Sequence, residues 1–174
     1  MNQDETRKAL EELKKYVIRE SRSNLTRMDK NASKTLYKSI DGDVEVYPNS
    51  LSLFFSMEQY GFFQDQGVSG KEKKYNTPFS YKSKMPPPKA FDKWIVRKGI
   101  APRDKNGKFI SRKSLRFLIA RAIFRKGIKP SLFFTKPFEK AIQRMPQDIA
   151  QAYGLDAGKL IDGIMKQNFK QNGK

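Results

Sequence analysis

Residues 111–134 read SRKSLRFLIARAIFRKGIKPSLFF, the most apolar stretch of a polar chain. Leu115, Leu118, Ile119, Ala122 and Ile123 recur at i, i+3, i+4, i+7 and i+8, the spacing of one buried helix face. At about 100° per residue, Phe117, Ala120 and Phe124 fall on the opposite face. A helix that is apolar on two faces needs cover on two sides, one from its own domain and one from a partner chain. Phe117, Ala120 and Phe124 are therefore the candidate subunit interface. Gly127 is placed as the left-handed residue past the helix end, Ile128 as its hydrophobic latch and Pro130 as the stop. The rest of the chain is expected to cover this helix.

Just upstream, residues 89–98 read as a helix with Phe91, Trp94 and Ile95 on one face. Residues 95–102 and 123–130 share the pattern I-x-R-K-G-I-x-P, so the same stop is expected twice, with cations opposing the helix dipole at each end. Downstream, Thr135 can cap a helix with Pro137 at its first position. Phe138, Ala141 and Ile142 face inward, Pro146 ends or kinks the helix, and Gly154 closes a further turn. Beyond it Leu160, Ile161, Ile164 and Met165 stand at helical spacing.

At the other end of the chain, Asn2 can cap a helix with Glu5 as its reciprocal partner. That helix runs from Gln3 to Met28. Leu10, Leu13, Val17, Leu25 and Met28 form a narrow stripe interrupted by Ser21 and Asn24, along a length of about 37 Å. Residues 31–40 form a short connector with Leu36 and Ile40 one turn apart, and Asp41-Gly42 signals a turn. Residues 43–47 and 51–57 read as two strands joined through Pro48-Asn49-Ser50. Residues 58–67, EQYGFFQDQG, suggest a tight aromatic turn bracketed by Gly61 and Gly67. Residues 68–88 hold five lysines and four prolines without periodicity, and read as an arm. The expected fold is one α+β domain over residues 1–174. It has a long N-terminal helix, a small antiparallel hairpin sheet, an extended Lys/Pro-rich arm at 68–88, and C-terminal helices packed on the sheet.

A chain of 174 residues buries roughly 70% of its unfolded surface. With 37% hydrophobic and 31% charged residues, the core should be modest. The sequence has no Cys and no His, which excludes thiol nucleophiles, disulfides, histidine metal sites and histidine general bases. No apolar run reaches 18 residues and the first six are polar, so neither a membrane span nor a signal peptide is expected.

The net charge of +18 is concentrated. Residues 1–70 carry 10 Lys/Arg against 11 Asp/Glu, residues 71–129 carry 19 against 3, and residues 130–174 carry 7 against 4. The middle segment, at +16, points to a polyanionic partner, either nucleic acid or an acidic protein surface; the plainer reading is a solvated Lys-rich face. Lys71, Lys73, Lys74, Lys82, Lys84, Arg112 and Lys113 are the candidate polyanion contacts. Tyr75, Phe79, Tyr81 and Phe109 lie among these cations, where they stack bases or anchor the arm.

Catalytic patterns are sparse. Asp43 and Glu45 project to one face of a strand, as in metal-dependent nucleases, but those enzymes usually carry a Lys two residues on, where Tyr47 stands here. There is no phosphate loop, nucleophile elbow or dinucleotide glycine pattern. The expectation is no enzyme, no cofactor, no metal and no small-molecule substrate.

The order of motifs resembles the tail-completion or head–tail joining proteins of tailed bacteriophages. The resemblance rests on Thr35-Leu36-Tyr37-Lys38-Ser39-Ile40, on Tyr60-Gly61-Phe62-Phe63-Gln64-Asp65-Gln66-Gly67, and on Trp94-Ile95-Val96-Arg97-Lys98-Gly99-Ile100. It continues in Leu118-Ile119-Ala120-Arg121-Ala122-Ile123 leading to Gly127-Ile128-Lys129-Pro130 and Phe133-Phe134, and so covers nearly the whole chain. In one departure, Lys34 stands where the family often has Gly. The resemblance implies a non-enzymatic structural subunit of a homo-oligomeric ring in the virion, made in the bacterial cytoplasm. Its implied partners are portal, neck and tail proteins and DNA in the channel. The alternative is a non-enzymatic nucleic-acid-binding protein using residues 71–129.

Overall fold

The computed structural model describes residues 4–47 and 50–171, with the side chains of Pro146 and of residues 160–171 left out. The expected cap Asn2, the loop residues Pro48 and Asn49, and the side chains of Leu160, Ile161, Ile164 and Met165 lie outside the described residues. The fold is α+β. Helix α1 (Asp4–Arg27) leads through α2 (Thr35–Ser39) to a hairpin of β1 (Asp41–Tyr47) and β2 (Ser50–Ser56). Then come α3 (Tyr60–Gln66), β3 (Val68–Ser69), a 3₁₀ turn (Pro88–Phe91), α4 (Asp92–Arg97), α5 (Arg112–Lys126), β4 (Gly127–Ile128) and α6 (Thr135–Gln171).

The core does not form around residues 111–134 as a whole. Its fully covered cluster is Leu25, Leu36, Ile40 and Phe133, with Ile18, Tyr37, Met57 and Phe134 packed against it. Of the opening stretch, the Phe133-Phe134 exit is central and α5 itself is peripheral. The N-terminal helix supplies the wall. Ser21 and Asn24, which looked like interruptions of its stripe, are buried and continue it. Asn24 donates through Nδ2 to the Phe133 carbonyl at 3.1 Å, so the polar position fastens the Phe133 turn to α1. Met28, expected on the stripe, is exposed.

The hairpin is antiparallel, pairing Gly42 with Phe55, Val44 with Leu53 and Val46 with Leu51. Asp41-Gly42 is the start of β1 rather than a turn. A Cβ at Gly42 would come within 2.8 Å of the Phe54 carbonyl and 3.2 Å of Lys14 on α1, so this glycine lets the strand lie close against the helix. Phe55 meets Phe134 and Phe138 edge-on, with centroids 5.4 and 5.9 Å away. These contacts, worth roughly 0.5–1.5 kcal/mol each beyond area burial, hold the sheet to the start of α6.

Helix α6 runs unbroken through Pro146 and Gly154, where the sequence predicted a kink and a stop. Both carry helix penalties, ~3 kcal/mol for Pro and about 1 for Gly. They are overridden because α6 packs antiparallel along α1 and is held near each end of the contact. Near its start is the Asn24–Phe133 bond. Farther along, buried Asp156 accepts from the Glu5 and Thr6 amides at 3.1 and 3.0 Å and from the Thr6 hydroxyl at 2.9 Å. Asp156 thus supplies the cap that α1 lacks among its own described residues.

The residues expected as a tight aromatic turn form helix α3. The segment expected as an arm is anchored at its base. Ser69 and Gly127 pair across the β3–β4 ladder, Tyr81 donates to Ser69, and Ser69 to the Phe79 carbonyl. The Lys71 and Glu72 amides reach the Phe124 and Arg125 carbonyls at 2.9 Å each, satisfying carbonyls that the end of α5 leaves open.

The two I-x-R-K-G-I-x-P copies end their helices differently. After α4, Gly99 has φ 60°, its amide donates to Val96 and that of Ile100 to Ile95, which is the Schellman stop expected. After α5, Gly127 has φ 73° and ψ −168°, and the chain passes directly into β4. The cause is the β3 crossing: a Cβ on Gly127 would sit 2.1 Å from the Val68 carbonyl, and one on Gly70 would sit 2.2 Å from the Arg125 carbonyl. Tertiary pairing, not the octapeptide, decides the exit.

Candidate assembly surface

Helix α5 begins at Ser111, whose hydroxyl accepts from the Ser114 amide at 3.2 Å, a side-chain N-cap. Its apolar residues are spread almost evenly around the axis, so periodicity does not select a buried face. Packing against the 3₁₀ turn, α4 and β4 does. Leu115 and Ala120 are buried, and Arg116, Ile119, Ile123 and Phe124 are half-buried. The inward arc is therefore rotated from the one expected. Leu118 and Ala122 face outward and Ala120 faces in.

The three candidate interface residues consequently separate. Phe117 is 49% exposed, Ala120 is fully buried, and half-buried Phe124 lies 6.2 Å from the Tyr81 ring. Ala120 is unavailable to a partner, and Phe124 holds the base of the 68–88 segment. The outward face of α5 presents Lys113, Phe117, Leu118 and Arg121. Trp94, Val96 and Phe109 add further exposed apolar surface on the neighbouring segments.

All seven candidate polyanion contacts are exposed, but they form no single patch. Lys71, Lys73 and Lys74 stand by the C-terminal end of α5. Arg112 and Lys113 lie at its other end, about 21 Å away at 1.5 Å per residue. Lys82 and Lys84 lie in coil before the proline run. Lys73 sits over the Tyr75 ring at 5.6 Å, and the Lys74 ammonium donates to the Gly70 carbonyl at 3.0 Å. The first turn of α5 holds two cations and no acid, which opposes its dipole by roughly 0.3–1 kcal/mol per charge. Arg112 and Lys113 are therefore not there to support the helix.

The three acids of the basic segment are already engaged. Glu72 accepts from Arg125 at 2.5 Å and holds that guanidinium's pKa above its usual range. Asp92 meets Arg116 at 3.5 Å. Asp104 accepts the Asn106 and Lys108 amides in its own turn. Most cations of the segment are left facing solvent.

The hairpin has the opposite character. Residues 41–70 hold five acids and no Lys or Arg. Alternation sends Gly42 and Val44 inward and Asp41, Asp43 and Glu45 outward, with Phe54 beside Asp43 across the ladder, while Val46 near the hairpin tip is on the inward register but 52% exposed. The three carboxylates are exposed and Phe54 is 52% exposed. Tyr47 donates its hydroxyl to Glu45, which pushes the tyrosine's own pKa up. Among the described residues, no group of three or more His, Cys, Asp or Glu is arranged to hold a metal ion. Between α1, β2 and α6 lies an open apolar groove of about 490 Å³, lined by Leu10, Leu13, Leu51, Leu53, Phe138 and Ile142 among others.

Sequence reasoning missed Asp65 as a positioning residue. It is buried on α3, and its carboxylate accepts the Phe134 amide at 2.8 Å, the Thr135 amide at 3.3 Å and the Thr135 hydroxyl. The available signal was a lone acid between aromatics and glycine in a segment without cations.

Compared with models of protein families, with curated proteins and with solved structures, the chain finds no match. No helix among the described residues is long and apolar enough to cross a membrane.

Proposed function

We propose that this chain is a structural, non-enzymatic subunit of a head–tail connector, neck or tail-completion ring in a tailed bacteriophage virion. The observation that carries the reading is how the motifs of the resemblance meet. Asp65 of the Tyr60–Gln66 helix caps the helix that follows Phe133-Phe134. Leu36 and Ile40 pack on Phe133. Gly127 of the Gly-Ile-x-Pro exit crosses the strand leaving Gly67. Three of the four motifs, spread along the sequence, thus meet at one structural junction, while the motif at residues 94–100 packs on α5 and the 3₁₀ turn. Lys34 adds support: it has φ 55°, a backbone that favours the Gly often found there in the family.

A ring needs two different faces per subunit, and the acidic hairpin and basic α5 offer them. Its partners would be copies of itself and the portal, neck and tail proteins on either side. Phage particles assembled without the protein should accumulate unjoined heads and tails, and adding the purified protein should restore joining. Normal infectious virions in its absence overturn the proposal.

The second reading is a nucleic-acid-binding protein, favoured by the dipole-opposing Arg112 and Lys113. It requires affinity for random duplex DNA with a steep negative salt slope, together with no effect on head–tail joining.

A further inference from the structure

Resting on the ring reading, we propose that the outward face of the β1–β2 hairpin of one copy docks on the outward face of α5 of the next. The contact is head-to-tail, acidic strand to basic helix.

Three observations converge on it. The first is charge. Asp41, Asp43 and Glu45 are exposed, and none is in an ion pair among the described residues. Lys113 and Arg121 are exposed on α5 and likewise unpaired with any acid there. Within one copy the hairpin packs on α1, whereas α5 packs on α4, the 3₁₀ turn and β4. Their outward faces are left over by different parts of the molecule.

The second is spacing. Asp41 and Glu45 lie four residues apart on an extended strand, about 13 Å at 3.3 Å per residue. Lys113 and Arg121 lie eight residues apart on a helix, about 12 Å at 1.5 Å per residue. Two carboxylates and two cations can therefore pair in register.

The third lies between them. Phe54 is the cross-strand partner of Asp43, midway between Asp41 and Glu45. Phe117 is midway between Lys113 and Arg121. Both rings are about half exposed, and on each face an aromatic is flanked by charges of one sign. Apolar contact at the centre with charged pairs around it is the usual anatomy of a specific interface. Because the two patches differ, the contact is heterologous and repeats until a ring closes.

Charge exchange in the full-length protein tests this. Wild type should self-associate in sedimentation velocity, less so as salt rises. Asp41→Lys with Glu45→Lys, and separately Lys113→Glu with Arg121→Glu, should each weaken association by about tenfold or more while keeping the wild-type circular dichroism. Mixing the two variants should restore association, since each then offers the face the other needs. A wild type that stays monomeric at high concentration overturns the interface. So does a mixture that fails to associate, or an α5 variant that loses duplex-DNA binding while its self-association is unchanged. Failure here with particles that still require the protein removes only this interface. Particles that join normally without it remove the ring reading itself.

Discussion

Asp65 on α3 caps α6, with its carboxylate on the Phe134 amide at 2.8 Å and on the Thr135 hydroxyl, across 70 residues of sequence. The Asp65 carbonyl also accepts the Leu132 amide at 2.9 Å, at a residue held in the left-handed region with φ 51°. One acidic residue thus fixes both the unusual backbone before α6 and its first turn.

Asp65→Ala should therefore lower unfolding free energy by about 1–3 kcal/mol, as expected for removing a cap and leaving buried donors unpaired. Urea denaturation followed by circular dichroism measures it. An effect below a few tenths would mean that water replaces the carboxylate without cost.

Asp156 makes closure of α1 on α6 pH-dependent. Burial pushes its pKa up, but the Thr6 and Glu5 amides, the Thr6 hydroxyl and the Lys159 ammonium outweigh burial and leave it below the ordinary range. Glu5 is lowered in the same sense, by Lys159 first and then Lys8. A carboxyl with a folded pKa below its unfolded one stabilises fully above the unfolded value, about 4, and loses that stabilisation as pH falls through the folded value. Wild type should be more stable than Asp156→Asn at pH 7, with the gap closing as pH falls below about 4. A gap constant down to pH 2 contradicts this account.

The two similar exits should respond differently to the same change. Gly127→Ala must displace the Val68 carbonyl and should prevent stable folding of the β3–β4 crossing. Gly99→Ala meets no atom within 4 Å and should cost only the left-handed strain, roughly 1–2 kcal/mol. Comparing the melting temperatures of the two variants separates a crossing from a simple helix cap.

Gly154→Ala and Lys34→Gly should both stabilise. Gly154 is exposed, helical and open to a Cβ, so alanine should contribute about 0.5–1 kcal/mol. Lys34 at φ 55° carries strain that glycine relieves. A melting temperature lowered by either variant would refute the backbone assignment at that position.

Phe117→Asp should leave the monomer folded and block assembly, whereas Phe124→Asp should loosen the 68–81 segment, because Phe124 packs toward Tyr81. Limited proteolysis distinguishes them: only the Phe124 variant should become cleavable near Lys71–Lys74.

Much of the architecture was legible because it is local. The α1 stripe, the hairpin alternation and the Gly99 stop follow from residue spacing and turn chemistry. What was not legible depends on partners distant in sequence. Ser21 and Asn24 look polar until Phe133 arrives, and Pro146 looks like a stop until α1 lies beside it. The α5 face could not be chosen from periodicity, since its apolar residues point nearly everywhere. The hairpin's acidic outer face was visible as Asp43 and Glu45, but its meaning came from the register that places Phe54 beside them.

The Asp156 cap also has a consequence for synthesis. Helix α1 leaves the ribosome before α6, yet the carboxylate that completes its first turn lies 150 residues behind Thr6. Contacts of such separation form late and slowly. Until residue 156 has emerged, the start of α1 remains open and its long apolar stripe waits for α6. The growing chain therefore cannot close the start of α1 until α6 has been made as far as residue 156, and a chain released short of that aspartate is missing the latch between the two helices.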